Sequence, residues 1–174
     1  MNKKIQRMPR YLILAVVILA SLPWLYRNSV TVPDDVVFRL IDGRQLTLEQ
    51  LRGRPVLIDF WATSCRSCLE ETPDLIALYQ ELANQGLEII AVAMPYDRPD
   101  MVLKAAEELN IPYPIALDID GTVVAAFGGI AVTPTHFLIR PDGKIADRIT
   151  GTIDPAKLRV RIKKMLPQEI FQDA

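Results

Sequence analysis

Val56-Leu57-Ile58-Asp59-Phe60-Trp61-Ala62-Thr63-Ser64-Cys65-Arg66-Ser67-Cys68 is the stretch that decides how this chain is read. Its first five residues form a short apolar run, β-branched in part. The breaker Arg52-Gly53-Arg54-Pro55 stands just before it, so the run reads as a buried strand. Two cysteines follow at once, where a helix opens. From Cys65 to about Asn84, the residues Leu75, Leu78, Tyr79 and Leu82 share one helical face, and Pro73 inside the helix is expected to kink it. Asn84-Gln85-Gly86 closes that helix, and Leu87 to Ala93 reads as a second buried strand.

Further elements extend outward in both directions. Upstream, Val36 to Thr47 alternates around Asp42-Gly43, a hairpin signal. Downstream, Pro99 to Leu109 predicts a helix, Ile115 to Leu117 a brief strand, and Asp120 to Phe127 a short helix closed by Gly128-Gly129. A hairpin of His136 to Ile139 and Ile145 to Thr150 turns at Pro141-Asp142-Gly143. Asp154-Pro155 supplies the N-cap and first turn of a last helix running to about Leu166. The order β-α-β-α-β, then a hairpin and a helix, describes an α/β sandwich with a mixed sheet.

The 174 residues, half of them hydrophobic, allow one domain of about 145 residues that buries a core without disulfide staples. A net charge of −1 with interspersed signs gives no footing for nucleic acid; only the N-terminus is locally basic. There Lys3, Lys4, Arg7 and Arg10 precede an uncharged apolar run from Tyr11 to Tyr26, followed by Arg27, Asp34 and Asp35. The positive excess before the run puts residues 1–10 in the cytoplasm and the remainder outside. At ~1.5 Å per residue the run covers roughly 24 Å, a little short of a ~30 Å hydrocarbon core, with Trp24 and Tyr26 placed to extend it at the far interface. An uncleaved anchor over 11–27 is favoured over a cleaved signal, because Ile18-Leu19-Ala20 lacks the small residue such cleavage needs. A linker over 28–35, a domain over 36–168 and a tail over 169–174 complete the expected layout. That layout is a single-pass protein of the bacterial cytoplasmic membrane with its domain facing the periplasm or the outside.

Two cysteines exclude a framework of structural bridges. Structural zinc needs further ligands, and the chain offers one distant histidine, His136. In an exported domain two inert thiols would tend to oxidise. Redox chemistry fits the setting directly. A cysteine at a helix N-terminus faces unpaired amides and the positive end of the helix dipole, which stabilise its thiolate. Cys65 holds that place as nucleophile, and Arg66 is expected to add a positive charge beside it. Cys68, one turn further in, is shielded and serves as the resolving thiol.

The same run resembles the active-site strand and turn of thioredoxins, and more closely the TlpA/ResA/CcmG-type group of membrane-tethered bacterial thioredoxins. The likeness extends from about Val36 to Leu166. Its further landmarks are Leu48-Glu49-Gln50-Leu51-Arg52-Gly53, Gly86-Leu87-Glu88-Ile89-Ile90-Ala91-Val92, Thr133-Pro134-Thr135-His136-Phe137-Leu138-Ile139 and Pro141-Asp142-Gly143-Lys144-Ile145. The resemblance implies a thioredoxin-like fold with an N-terminal hairpin extension. It also implies a cis-proline at Pro134 facing the dithiol, with the Thr133 backbone free to pair with an extended substrate segment. Asp59 matches a buried acid suited to taking the proton from Cys68, and Glu71 an acid near the dithiol. Trp61 is expected to pack over the site and is assigned to substrate binding; as an aromatic at a strand end, its other reading is plain core.

Two departures stand out: Ser64 replaces the usual Trp before the first cysteine, and Arg66-Ser67 contains no proline. Through Arg66 the disulfide should be more oxidising than thioredoxin's, at about −270 mV. The resemblance further implies a monomeric thiol:disulfide oxidoreductase that reduces protein disulfides, as in cytochrome c maturation. It would need no cofactor or metal beyond the Cys65–Cys68 pair, and a membrane donor of the DsbD/CcdA type would recharge it. Two alternatives stay open: a disulfide-forming oxidant, and a copper-holding protein using Cys65, Cys68 and His136. No peroxidase-type cysteine setting is found.

Overall fold

The computed structural model describes residues 34–167; the expected cytoplasmic segment over 1–10, the anchor over 11–27, most of the linker and all of the tail lie outside them. Among the described residues no helix is long and apolar enough to cross a membrane.

Five strands form the central sheet: β3 (Val56–Trp61), β4 (Glu88–Ala93), β5 (Ile115–Leu117), β6 (Thr135–Ile139) and β7 (Ile145–Thr150). β1 (Val37–Arg39) and β2 (Gln45–Thr47) make a separate antiparallel hairpin. The order across the sheet is β5-β4-β3-β6-β7, with β3, β4 and β5 parallel and β6 and β7 antiparallel. The helices are α1 (Arg66–Leu82), α2 (Pro99–Glu108), α3 (Thr122–Ala126) and α4 (Pro155–Lys163). This is the expected mixed α/β sandwich with its hairpin extension.

β3 occupies the middle of the sheet, and all six of its residues are buried. Their alternation sorts them between two cores. Ile58 and Phe60 face a cluster built with Phe38, Leu48, Leu51, Val123, Phe127 and Phe137, in which Phe127 meets Phe60 and Phe137 edge-on. Leu57 and Trp61 face the other cluster, with Cys68, Leu75, Leu78 and Leu82 of α1, Val102 of α2, and Leu158 and Ile162 of α4. Asp59 lies between Leu57 and Trp61 and so shares their side of the sheet. The register pairs it with His136 of β6, which alternates in phase with Leu138 on that same side.

Local signals account for the element ends. Gly86 takes φ 112°, the left-handed conformation that lets the chain leave α1 and its short 3-10 extension for β4. α4 starts at its expected cap, where Asp154 accepts a hydrogen bond from the Lys157 amide and Pro155 occupies the first turn. Pro73 does not break α1, which runs continuously from Arg66 to Leu82. The β1–β2 hairpin seats on the outer edge of β5: the Ile41 amide donates to the Ile115 carbonyl at 2.9 Å, and Leu40 bridges Ala116. That covers an edge the parallel strands would otherwise leave unpaired.

Candidate active site

Cys65 is the N-cap of α1, and its backbone is extended (φ −89°, ψ 100°). Extended backbone at the cap is what turns the chain out of β3 and into the helix. Cys65 and Cys68 are joined by a disulfide with Cα atoms 5.3 Å apart. Cys65 is partly exposed, while Cys68 is 4% exposed and packs into the core under α1. The Cys68 amide donates to Cys65 Sγ at 3.2 Å, and the Ser67 hydroxyl lies 3.5 Å from the same sulfur. An attacking sulfur that meets a helix-terminal amide and a hydroxyl is stabilised as a thiolate.

The role expected of Arg66 needs correction. Its side chain is 91% exposed and pairs with Glu70 one turn on, Nε to Oε1 at 2.7 Å. The guanidinium charge is therefore spent on a solvated ion pair and not on Cys65. With it goes the reason for placing this disulfide above thioredoxin in potential. Ser67, which the sequence reading passed over, is the side chain that reaches the sulfur.

The turn before the dithiol is anchored from outside. The Thr63 amide and hydroxyl both donate to Asp97 in the loop after β4. Trp61 is only 2% exposed and belongs to the core beside Cys68, so it cannot meet a substrate and its assignment to substrate binding does not hold. The Thr133–Pro134 peptide bond is cis, the isomer that the resemblance implies. Pro134 leads into β6, whose first residue, Thr135, pairs with Phe60 near the end of β3 that feeds Cys65. Thr133 and Pro134 thus lie at the dithiol end of the sheet.

Behind the dithiol three ionisable side chains are buried together. His136 Nδ1 lies 3.3 Å from Asp59 Oδ1, and His136 Nε2 lies 2.9 Å from Glu71 Oε1. Neither ring nitrogen is aimed squarely at its oxygen, so the contacts are close charge pairs more than aligned hydrogen bonds. Glu71 Oε2 accepts from the Ile153 amide at 2.6 Å. Asp59, Glu71 and His136 are 6%, 6% and 0% exposed. Burial lifts the Asp59 carboxyl to about 6; His136 restrains that rise and Glu71 adds to it. Burial alone would push the His136 imidazole down. The close Glu71 and the charges of both acids outweigh it and hold the ring above its ordinary range. A carboxyl that titrates near neutrality is suited to proton transfer. His136, in β6 and 0% exposed, is a packed strand residue, and each of its ring nitrogens faces a carboxylate.

A partly exposed cysteine at a helix N-terminus, a buried partner one turn on and a cis-proline at the same sheet end define a thioredoxin-fold thiol-disulfide oxidoreductase. The chain belongs to the AhpC/TSA family, whose profile matches residues 30–148. It is 31% identical to the thiol-disulfide oxidoreductase ResA of Geobacillus thermodenitrificans, across 95% of this chain and 99% of that protein. It is 30% identical to ResA of Bacillus subtilis, across 74% and 70% of the two chains. Among solved structures, a thioredoxin-family thiol:disulfide interchange protein from Chlorobium tepidum superposes with a TM-score of 0.71 at 25% identity, covering 79% of this chain and 97% of that one.

Proposed function

We propose that this protein is a reductase of protein disulfides that works outside the cytoplasm, tethered to the bacterial cytoplasmic membrane by residues 11–27. The observation that carries the chemistry is the pairing of an accessible Cys65 at the start of α1 with a buried Cys68. The tether and the exported side rest on the charge asymmetry around the apolar N-terminal run. Relatives named thiol-disulfide oxidoreductase support the substrate class of protein thiols and disulfides.

In the forward reaction the Cys65 thiolate attacks one sulfur of the target disulfide. That S–S bond breaks, a Cys65–target mixed disulfide forms, and the departing target sulfur takes a proton from water. Cys68 then gives its proton to the Asp59 carboxylate and attacks Cys65 Sγ. The mixed disulfide breaks, the second target sulfur leaves as a thiolate and is protonated, and the Cys65–Cys68 disulfide remains. Two electrons pass to the target, whose two sulfurs take their protons from water, while the Cys68 proton stays on Asp59 until it is released to solvent. Thr133, preceding the cis-proline, offers its backbone to an extended target segment. No cofactor beyond the dithiol enters these steps. A membrane thiol donor of the DsbD/CcdA type recharges it, and apocytochrome c is the kind of exported target whose cysteines must stay reduced.

Rapid acid quench of cells followed by thiol alkylation reads the resting state of Cys65 and Cys68. A mostly reduced pair in an oxidising compartment is expected. A mostly oxidised pair would overturn the reductive direction and point to disulfide donation.

A further inference from the structure

We infer that His136 is a positioning residue for thiol exchange: set between Asp59 and Glu71, it bridges the two buried acids so that Asp59 is free to take the proton that Cys68 gives up. The inference rests on the exchange chemistry proposed above and assigns the proton-handling step to a unit of three side chains from β3, α1 and β6.

Position comes first. The β3–β6 register sets His136 directly opposite Asp59. Glu71 follows Cys68 by three residues on α1, one helical turn on. The ring spans the gap, with Nδ1 toward one acid and Nε2 toward the other.

Stability does not explain the arrangement. Three buried ionisable groups with imperfect hydrogen-bond geometry cost desolvation energy that their mutual attraction often fails to repay. An apolar residue would fill the same space. One potential ligand atom from each of the three side chains lies within 4.8 Å of the others, but the two acids approach opposite nitrogens of the ring, an arrangement that matches charge pairing through the imidazole.

The other groups around the ring do not replace it. In the sheet, Ile149 of β7 lies beside His136 and Ala91 of β4 beside Asp59, and Leu158 and Ile162 of α4 belong to the apolar cluster on that side. The Tyr113 phenol, ahead of β5, is pushed up by burial and then by Asp59 and Glu71. The Ile153 amide is bound to Glu71. Among the described groups facing the two acids, His136 is the one that can carry positive charge. Without it, two neighbouring acids repel, and the proton on Asp59 is released only at higher pH.

The reduced protein can be mixed with dithiobis-nitrobenzoate, which separates the two steps. Attack by Cys65 releases one coloured thiolate and leaves the other half on Cys65. Attack by Cys68 releases the second. In His136→Gln and His136→Leu the pH midpoint of the second release is expected to rise by about one unit, so that this release slows about tenfold near pH 7. The first release should keep its rate, and the Asp59 side-chain carbon signal should titrate at higher pH. A second-phase pH profile superimposable on that of the unaltered protein would overturn the assignment. So would equal slowing of both phases, which marks a merely structural residue. If the unaltered protein shows no first release, the exchange reading itself fails.

Discussion

Asp97 accepts two hydrogen bonds from Thr63, one from the backbone amide and one from the hydroxyl, each 2.6 Å long. One carboxylate from the loop after β4 thereby fixes the turn that delivers Cys65 to the start of α1. Asp97→Ala should leave the fold intact and lower stability by about 1–2 kcal/mol, the worth of charge-assisted bonds at a half-buried site. The freed turn should also change the alkylation rate of reduced Cys65. Denaturant unfolding and alkylation kinetics check both, and unchanged values in both would show that the contact is incidental.

Ser67 and Arg66 make opposite predictions for the attacking thiol. Ser67→Ala removes the hydroxyl 3.5 Å from Cys65 Sγ and should slow alkylation of Cys65 at pH 7 by about two- to fivefold, as a lost hydrogen bond to the thiolate does. Arg66→Ala breaks a solvated pair with Glu70 and should alter that rate by less than about twofold. The reverse ranking would restore Arg66 as the charge that governs Cys65.

Cys68→Ala leaves a nucleophile with no resolving partner. Mixed disulfides on Cys65 should accumulate in cells and be visible as reducible adducts on gels; Cys65→Ala should give none. Adducts on neither variant would remove protein disulfides from the substrate list.

The buried acid also makes stability depend on pH. Asp59 titrates at about 6 when folded against an ordinary 3.8, so between those values the folded chain holds a proton that the unfolded chain has released. Stability must then fall as pH rises through that window, by about 3 kcal/mol for a two-unit shift. The raised His136 has the same sign, and its share is lost as pH climbs above about 6.5. Asp59→Asn should flatten the lower part of this slope. Urea unfolding at several pH values measures it, and a native profile that rises from pH 4 to 6 would contradict the burial of this acid.

Patterns confined to neighbouring residues were legible in the sequence. The strand ending in the dithiol, the Asp154-Pro155 helix start and both hairpins follow from periodicity and turn chemistry, and each lies within a short window. Family likeness carried the cis bond at Pro134. Longer-range pairings left no such mark: nothing in the primary structure says that His136 meets Glu71, or that Thr63 meets Asp97, because tertiary packing alone joins them. Arg66 is an instructive miss. Its partner, Glu70, stands four positions on, where helical geometry brings opposite charges together, so the pairing was available to a local reading. Trp61 shows the converse, since an aromatic at a strand end can face outward or inward and only the alternation set by Leu57 resolves which.

The hairpin seated on β5 also bears on self-association. A sheet grows from chain to chain through unpaired edges. Here Leu40 and Ile41 occupy one border of the five-stranded sheet. The other border, β7, alternates partly buried and exposed residues and carries Asp147, paired with Arg161, and Arg148 over the Phe137 ring. Strand-by-strand stacking of copies is blocked at the first border and discouraged by charge at the second. The sheet that carries Thr133 and Pro134 at its dithiol end thus has outer borders that make poor templates for a second copy.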